Sequence, residues 1–331
     1  MSLYQQVSVV MTVFNEADNI ETVIRSLLSQ TRPPAEIVVV DGGSTDGTPS
    51  IIEKLSVERT LGGNTLIRCL VRPGANISQG RNAAIEVATY DLIAVTDAGV
   101  RLLPDWLENL TAPFARPGVA VVAGFFRADP DPNSPFQIAM GATVLPVEVE
   151  IQPEKFLPSS RSVAFTRSVW QAAGGYPEWL DYCEDLIFDL KLKEMGYSFA
   201  WQPAALALFA PRRSLKAFWQ QYYRYARGDG KARLFLKRHL LRYATYGVGV
   251  PAWLLVVWRK PWFGLILGGA GLAYLRQPYR RLFLHDTGFK RLSLGRKIAA
   301  ALWVPVIRAT GDLAKMSGYP VGVLWRTRYR S

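Results

Sequence analysis

The stretch AEIVVVDGGSTDGT, residues 35–48, decides the fold. Ile37 to Val40 is an unbroken β-branched run, the pattern of a strand buried on both faces rather than one with a wet side. It stops on an acid, Asp41, and Gly42 and Gly43 turn the chain. Asp46 then caps a helix expected to begin near Thr48. Upstream, VSVVMTVF (7–14) is another apolar run, and Ile20, Val23, Ile24, Leu27 and Leu28 follow it at helical spacing. Downstream come a strand in NTLIRCLVR, a helix in SQGRNAAIEVAT and a strand in DLIAV (91–95). Alternating strands and helices of this kind specify an α/β domain with a mostly parallel sheet covered by helices. Ligands of such sheets bind beyond the carboxyl ends of the strands, so residues 12–16, 41–46 and 97–99 should converge on one edge.

A chain of 331 residues suffices for one large domain or two ordinary ones. An apolar fraction of 49% with 10 Trp excludes a disordered protein, and 2 Cys exclude a disulfide framework. Cys69 and Cys183 are expected as reduced thiols. The opening MSLYQQVSVVMTVFNE has no basic n-region, so a cleavable leader is not expected. Charge is divided unevenly. Residues 1–211 hold 15 Lys and Arg against 24 Asp and Glu, a net of −9; residues 212–331 hold 24 against 3, a net of +21. A body of one sign with a strongly basic tail points to an anionic surface, nucleic acid or membrane.

The arrangement of those basic residues selects between the two. Short strands fill 119–210 with a helix over 183–195, and a basic aromatic helix is expected over about 214–242. Two apolar runs follow, 243–258 and 261–275, separated by Arg259 and Lys260. Each falls short of the roughly 20 residues of a spanning helix, and flanking Arg242, Arg259, Lys260 and Arg276 extend the reach by snorkelling. KIAAALWVPVIRATGDLAKM (297–316) is a third stretch, interrupted by Pro305. These features read as a membrane-embedded hairpin plus interfacial basic helices. A buried helical bundle would leave the basic residues without charge partners. Basic side chains beside apolar runs suit no nucleic-acid groove, so membrane lipids are the expected partner and nucleic acid is not. The expected domains are 1–211, catalytic; 212–242, a basic amphipathic link; and 243–331, the hydrophobic hairpin with its interfacial helices.

The sheet edge carries the candidate chemistry. Asn15 and Glu16 lie just past the first strand, and Asp41 ends the second. An acid in such a place accepts from a base N–H or a ribose hydroxyl, or it forms a local Asx-turn. DLIAVTDAGV (91–100) ends on a lone acid, Asp97, with Gly99 two residues on. Glu184 and Asp185 open the 183–195 helix, where its dipole favours negative charge. His239 and His285 have no ligand spacing around them, so no zinc site is expected.

Six stretches in order, TVFNE, VVVDGGSTDGT, GRNAAIEVA, TDAGVRLLPDWLE, GGYPEWLDYCEDLIFDLKLKEMG and QYYRYARG, resemble glycosyltransferase family 2 from Val7 to about Tyr225. The resemblance implies a GT-A fold binding a nucleotide-diphospho-sugar, with a C-terminal helical membrane-associated region. It implies that Thr12, Phe14, Glu16 and Asp41 line the base and ribose pocket, and that Arg81 approaches the nucleotide or its phosphates. Uracil is the base that the family habit favours. Asp185 becomes the general base on an acceptor hydroxyl and Glu184 orients the acceptor or the loop. Gln221 and Arg224 match a Gln-x-x-Arg-aromatic element in which Arg224 pairs with the leaving diphosphate, and Tyr225 stands where the family has Trp. Asp97 takes the first position of an Asp-x-Asp pair, whose acid contacts the ribose or the metal, and Gly99 replaces the second acid. A divalent cation, Mg²⁺ or Mn²⁺, is then held weakly by Asp97 and the substrate's diphosphate. The competing account has Arg81 and Arg224 neutralise the diphosphate instead.

The activity so implied is inverting transfer from a UDP-sugar to an acceptor hydroxyl, lipid-linked or on a surface polysaccharide, at the cytoplasmic face of the cell membrane. Sugar contacts are expected in the 124–160 loops. The alternative is a basic nucleic-acid- or membrane-binding protein whose GT-A domain is inactive; Asp185 and Arg224 weigh against it. A nucleotidyltransferase would carry a Gly-rich basic signature near the first strand, and VSVVMTVFNEADN has none.

Overall fold

The computed structural model describes residues 6–60 and 64–329. The chain forms two compact units, 1–127 with 148–209, and 128–147 with 210–331.

The first unit is built on an eight-stranded sheet. Its strands are β1 (Val7–Val13), β2 (Glu36–Asp41), β3 (Leu66–Val71), β4 (Leu92–Val95), β5 (Val100–Leu102), β6 (Val121–Ala128), β7 (Val163–Thr166) and β8 (Phe199–Phe209), in the order β3-β2-β1-β4-β7-β6-β8-β5. β1 pairs in parallel with β2 and β4, and β2 with β3. Antiparallel pairing begins at β7, which joins β4 to β6, and recurs between β5 and β8. The β-α repeats thus make the parallel half, as the unbroken apolar runs require.

Residues alternate between the faces of these strands, so one strand supplies two cores. Val9 and Met11 of β1 and Ile37 and Val39 of β2 face α1 (Ala17–Leu28), α2 (Thr48–Thr60) and α4 (Trp106–Thr111). Val10 of β1 with Val38 and Val40 of β2 face α3 (Ile77–Val87), α6 (Arg167–Ala173) and α7 (Glu184–Glu194). Gly80 lets α3 approach β1, since a Cβ there would overlap the Thr12 side chain. Both cysteines are free thiols.

The second unit is helical: α5 (Pro135–Val144), α8 (Leu215–Lys231), α9 (Leu236–Ala244), α10 (Val250–Arg259), α11 (Phe263–Leu284) and α12 (Leu294–Tyr329). Segment 128–147 interrupts the 1–211 range in sequence but packs here, because Phe136, Ile138 and Met140 share a core with Phe218, Leu282, Val304 and Ile307. The single basic helix expected over 214–242 is two helices. Arg233 and Phe235 take left-handed backbone (φ 56 and 54) and break it. Residues 236–259 then run as one helix through a π-turn at Thr245–Gly249, long and apolar enough to cross a membrane, with none of its most apolar window buried.

Pro305 does not interrupt the third apolar stretch. α12 continues through both Pro305 and Pro320. A proline removes one helix hydrogen bond. That loss is offset where Val304, Ile307, Tyr319 and Gly322 are buried on either side. α12 and α8 approach at glycines: a Cβ on Gly318 would overlap the Tyr223 carbonyl, and one on Gly322 the Arg227 carbonyl.

Candidate active site

The carboxyl ends of β1 and β2 open into two loops that brace each other. Asn15, at φ 54, donates its N–H to Ser44 Oγ at 2.7 Å, and its Oδ1 accepts from Thr45 N at 2.9 Å. Glu16 N donates to Thr48 Oγ1 at 3.0 Å. Asp46 Oδ2 accepts from Ala17 N at 3.0 Å, while its Oδ1 accepts from the backbone N and the hydroxyl of Thr48. One acid therefore ties down the starts of both α1 and α2. The Thr48 hydroxyl and then the Ala17 N–H hold its pKa below the usual carboxylate value.

Asp41 closes the second loop. Its Oδ1 accepts from Gly43 N at 2.8 Å and Ser44 N at 2.7 Å, and its Oδ2 accepts from Ser44 Oγ at 2.5 Å. The carboxylate is wholly buried and engaged by its own turn, so the Asx-turn describes its geometry. Thr12 Oγ1 donates to Val40 O at 3.2 Å, and the Glu16 carboxylate accepts from Asn19 Nδ2 at 2.7 Å. Phe14 stands apart from these spoken-for groups. Its ring is 61% exposed at the end of β1, an apolar face open to a flat ligand.

Arg81 of α3 is the centre of the polar network. Its side chain is buried, and Nη2 donates to Asp97 Oδ1 at 2.8 Å while Nη1 donates to Glu184 Oε1 at 2.5 Å. The guanidinium also lies 5.5 Å from the ring centre of Tyr176. Burial opposes the charge, but Asp97 and then Glu184 outweigh it, and Arg81 stays cationic. Its two amino groups are committed to carboxylates, so within this structure it links acids. Burial also pushes the Glu184 carboxyl up to about 7, with the Asp185 charge adding to the shift and Arg81 opposing it. One arginine shared between two acids leaves Glu184 incompletely compensated.

The loop that delivers Glu184 and Asp185 is fastened to α3. Asn76 Nδ2 donates to Glu178 O at 2.6 Å, Ser78 Oγ to Leu180 O at 3.1 Å and Asn82 Nδ2 to Tyr176 O at 2.9 Å. Asn82 Oδ1 accepts from Tyr176 N and from Trp170 Nε1. Gly175, at φ +76, passes so close that a Cβ would sit 2.8 Å from Asn82 Oδ1. The chain enters α7 through Cys183 at φ 65, and Asp185 Oδ1 accepts from Leu186 N at 2.8 Å.

The structure thus brings Asp97, Arg81 and Glu184 together, with Asp185 next along α7, and places Thr12, Phe14, Glu16 and Asp41 at the ends of β1 and β2. Gln221 and Arg224 lie on α8 in the second unit, where Gln221 Nε2 donates to the Tyr225 hydroxyl at 2.8 Å. Two residues of the first unit escaped the motif reading. Arg161 sets its Nε 3.7 Å from Asp97 Oδ2 and stacks its guanidinium 4.6 Å from the Phe209 ring centre. Asn82 pins the loop that leads into α7; it stood inside GRNAAIEVA, and only the contacts reveal its task. Arg161 had no sequence signal, lying in SSRSVAF between recognisable stretches.

As a metal site this donor set is thin. Asp97 faces two guanidinium groups, and no cluster of three His, Cys, Asp or Glu able to hold an ion exists among the described residues. A Cβ on Gly99 would meet nothing within 4 Å, so the second acid is missing where room for it remains. The residues present fit a cation that arrives on a diphosphate and takes one protein oxygen, rather than a resident ion.

A mixed sheet of this order, with acids past β1, β2 and β4 and an acid pair opening α7, defines a GT-A glycosyltransferase. Residues 8–163 match the family model Glycosyl transferase family 2, and this part of the chain is a glycosyltransferase family 2 domain. Among curated proteins it is 26% identical over 305 residues to the succinoglycan biosynthesis protein ExoA of Rhizobium meliloti (strain 1021), covering 82% of this chain and 87% of that one. It is 26% identical over 193 residues to the chondroitin synthase of Pasteurella multocida (strain Pm70), and that match takes in 57% of this chain but only 19% of the synthase. Among solved structures, the mannosyltransferase PcManGT from Pyrobaculum calidifontis, in complex with GDP-Man and Mn²⁺, is similar in fold. Its TM-score is 0.57 at 20% identity, over 99% of this chain and 88% of that one.

Proposed function

We propose that the chain transfers a sugar, with inversion, from a nucleoside diphosphate sugar to an acceptor hydroxyl, and that the acceptor is lipid-linked or a surface polysaccharide met at a membrane face. The observation that carries this reading is the bridge from Asp97 through Arg81 to Glu184. It couples the acid at the donor edge of the sheet to the acid pair at the start of α7.

In this reading the base and ribose lie over Phe14 and the β1 and β2 loops. Asp97 supplies one oxygen to the ribose or to a divalent cation carried on the diphosphate; the likeness to a Mn²⁺-bound mannosyltransferase supports the cation. Such a cation would supply charge compensation for the departing diphosphate. Asp185 accepts the proton of the acceptor hydroxyl, whose oxygen attacks the anomeric carbon as the bond to the diphosphate breaks. Glu184, held by Arg81, orients the acceptor. The apolar 236–259 helix supports a membrane setting, in which this reading puts the catalytic unit on the cytoplasmic side, and ExoA's name supports a polysaccharide acceptor. Uracil follows the family habit, whereas the solved neighbour holds a guanine nucleotide.

The test is a panel of UDP- and GDP-linked sugars incubated with the full chain in detergent, with Mn²⁺ or with excess chelator, following release of nucleoside diphosphate. Asp185→Asn should lower the transfer rate by about 10²- to 10⁴-fold, the range for loss of a general base, while donor binding persists. Undiminished transfer by that variant rejects Asp185 as the base. Full activity in chelator rejects the cation.

A further inference from the structure

The helical unit holds a polar cluster that the transfer reaction does not use. Asp312 of α12 is buried, and both its oxygens are occupied. Oδ1 accepts from Arg242 Nε at 2.7 Å; Oδ2 accepts from the Tyr246 hydroxyl at 3.1 Å and from the Tyr274 hydroxyl. Behind Arg242, His239 is 3.2 Å from its Nη1 and, through Nε2, 3.2 Å from Asp229 Oδ2.

Two further cations lie on the same face of α12 as Asp312, at positions 308 and 315, one turn to either side. The Arg308 guanidinium packs 4.5 Å from the Tyr274 ring centre, and its buried Nε has no hydrogen-bond partner among the described residues. The Lys315 ammonium sits 4.9 Å from the Tyr222 ring centre, with no hydrogen bond or ion pair among the described residues. Burial, then Arg242, pulls the Lys315 pKa down to about 8. Arg242, Arg308 and Lys315 therefore face Asp229 and Asp312, and the oxygens of Asp312 are already in use. A largely desolvated cation without a partner is costly, and an anion with several acceptor oxygens relieves it.

The placement says which anion. Tyr246 lies at the start of the apolar 243–258 run, and Tyr274 lies at the end of the apolar 261–275 run. Both hydroxyls meet on Asp312. The outer ends of the two apolar runs thus come together at this cluster, away from the Arg259–Lys260 turn. In a hairpin entering a bilayer, those ends lie at the level of lipid phosphates.

We propose that Arg308 and Lys315, backed by Arg242, form a binding site for the phosphate group of a phosphomonoester lipid headgroup. Guanidinium and ammonium donors carried on one face of α12 suit a phosphate bearing several free oxygens better than a diester. The site is independent of the sugar-transfer reading, because its test measures binding alone.

The full chain in detergent is floated with phosphatidylcholine vesicles containing either phosphatidic acid or, at matched surface charge, phosphatidylserine. Wild type should prefer phosphatidic acid. Arg308→Gln combined with Lys315→Gln should weaken binding to phosphatidic acid by about tenfold, as expected for lost charge-assisted hydrogen bonds, and abolish the preference. Arg280→Gln with Lys290→Gln removes two exposed charges and should leave the preference intact. Lys315→Arg should retain it, which separates lost binding from lost folding. Titration with inorganic phosphate distinguishes the source: competition together with a phosphatidic acid preference supports the lipid site. Phosphate binding with equal affinity for both vesicles overturns the lipid assignment, as does unchanged binding by the Gln pair.

Discussion

Arg81 Nη2 donates to Asp97 Oδ1 at 2.8 Å from inside the protein, and the other end of the same guanidinium holds Glu184. The strand-end acid and the acid that opens α7 are therefore one mechanical unit. Arg81→Met would strand two carboxylates around an apolar side chain, and breaking a buried pair in this way costs about 3–5 kcal/mol. Arg81→Lys keeps the charge but reaches one acid rather than two. We expect the Met variant to unfold at markedly lower denaturant. The Lys variant should fold and lose about a hundredfold in transfer rate through misplacement of the acids. Urea titration and nucleotide-release assays on both variants check the two outcomes, and equal loss of stability in the Lys variant would contradict the division.

Asp189 lies one turn along α7 from Asp185, buried, with its Oδ2 unpartnered among the described residues. Burial first, and then the Asp185 charge, raises its pKa well above the ordinary value, with Lys193 opposing. The folded state therefore retains a proton that the unfolded chain releases near pH 4. Stability contributed by Asp189 is complete below that pH, declines as pH rises toward the folded pKa, and stays reduced above it. Asp189→Asn removes this dependence. The variant should gain stability relative to wild type as pH rises from 4 to 8, and parallel unfolding curves of the two proteins across that range would refute it.

The parallel half of this fold was legible because β1, β2 and β4 are buried on both faces, and continuous runs such as Ile37–Val40 have one reading. The antiparallel half was not, since short strands such as Val163–Thr166 carry no period long enough to assign a partner. At the site, sequence located the acids but not their ties. Asp41 serves its own turn, and Arg81 is consumed by two carboxylates, relations set by neighbours 16 and 103 positions away in the chain. Pro305 misled for a related reason. Local propensity argues against a helix there, and packing on both sides of the proline overrides it.

The contact of α8 with α12 depends on the absence of side chains at Gly318 and Gly322. A methyl at Gly318 would overlap the Tyr223 carbonyl, which belongs to helix backbone and cannot swing away. Gly318→Ala gains helix propensity of about 1 kcal/mol. It should nonetheless destabilise the unit, because overpacking of this kind costs about 1–3 kcal/mol, or more where backbone must move. Gly295→Ala, at a position where a Cβ meets nothing within 4 Å, is the matched control and should be neutral or stabilising. Thermal unfolding in detergent separates them; a Gly318→Ala variant as stable as the control would show that the helices can part without cost.

Gly99 occupies the position two residues beyond Asp97 where the family resemblance implies an acid. A Cβ there would find open space. The backbone is not in the left-handed region at Gly99, so an aspartate adds no conformational strain. Gly99→Asp should therefore fold with stability close to wild type. In the proposed site its added carboxylate would give a hard cation a second protein oxygen and tighten the binding of a cation that otherwise has the diphosphate and Asp97. We expect the Mn²⁺ concentration for half-maximal nucleotide release to fall by about tenfold or more, with the maximal rate changed far less. Paramagnetic broadening of water by Mn²⁺, measured with nucleoside diphosphate present and absent, reads the affinity without relying on turnover. An unchanged Mn²⁺ requirement in the variant would place the cation away from this strand end and leave Asp97 to the ribose.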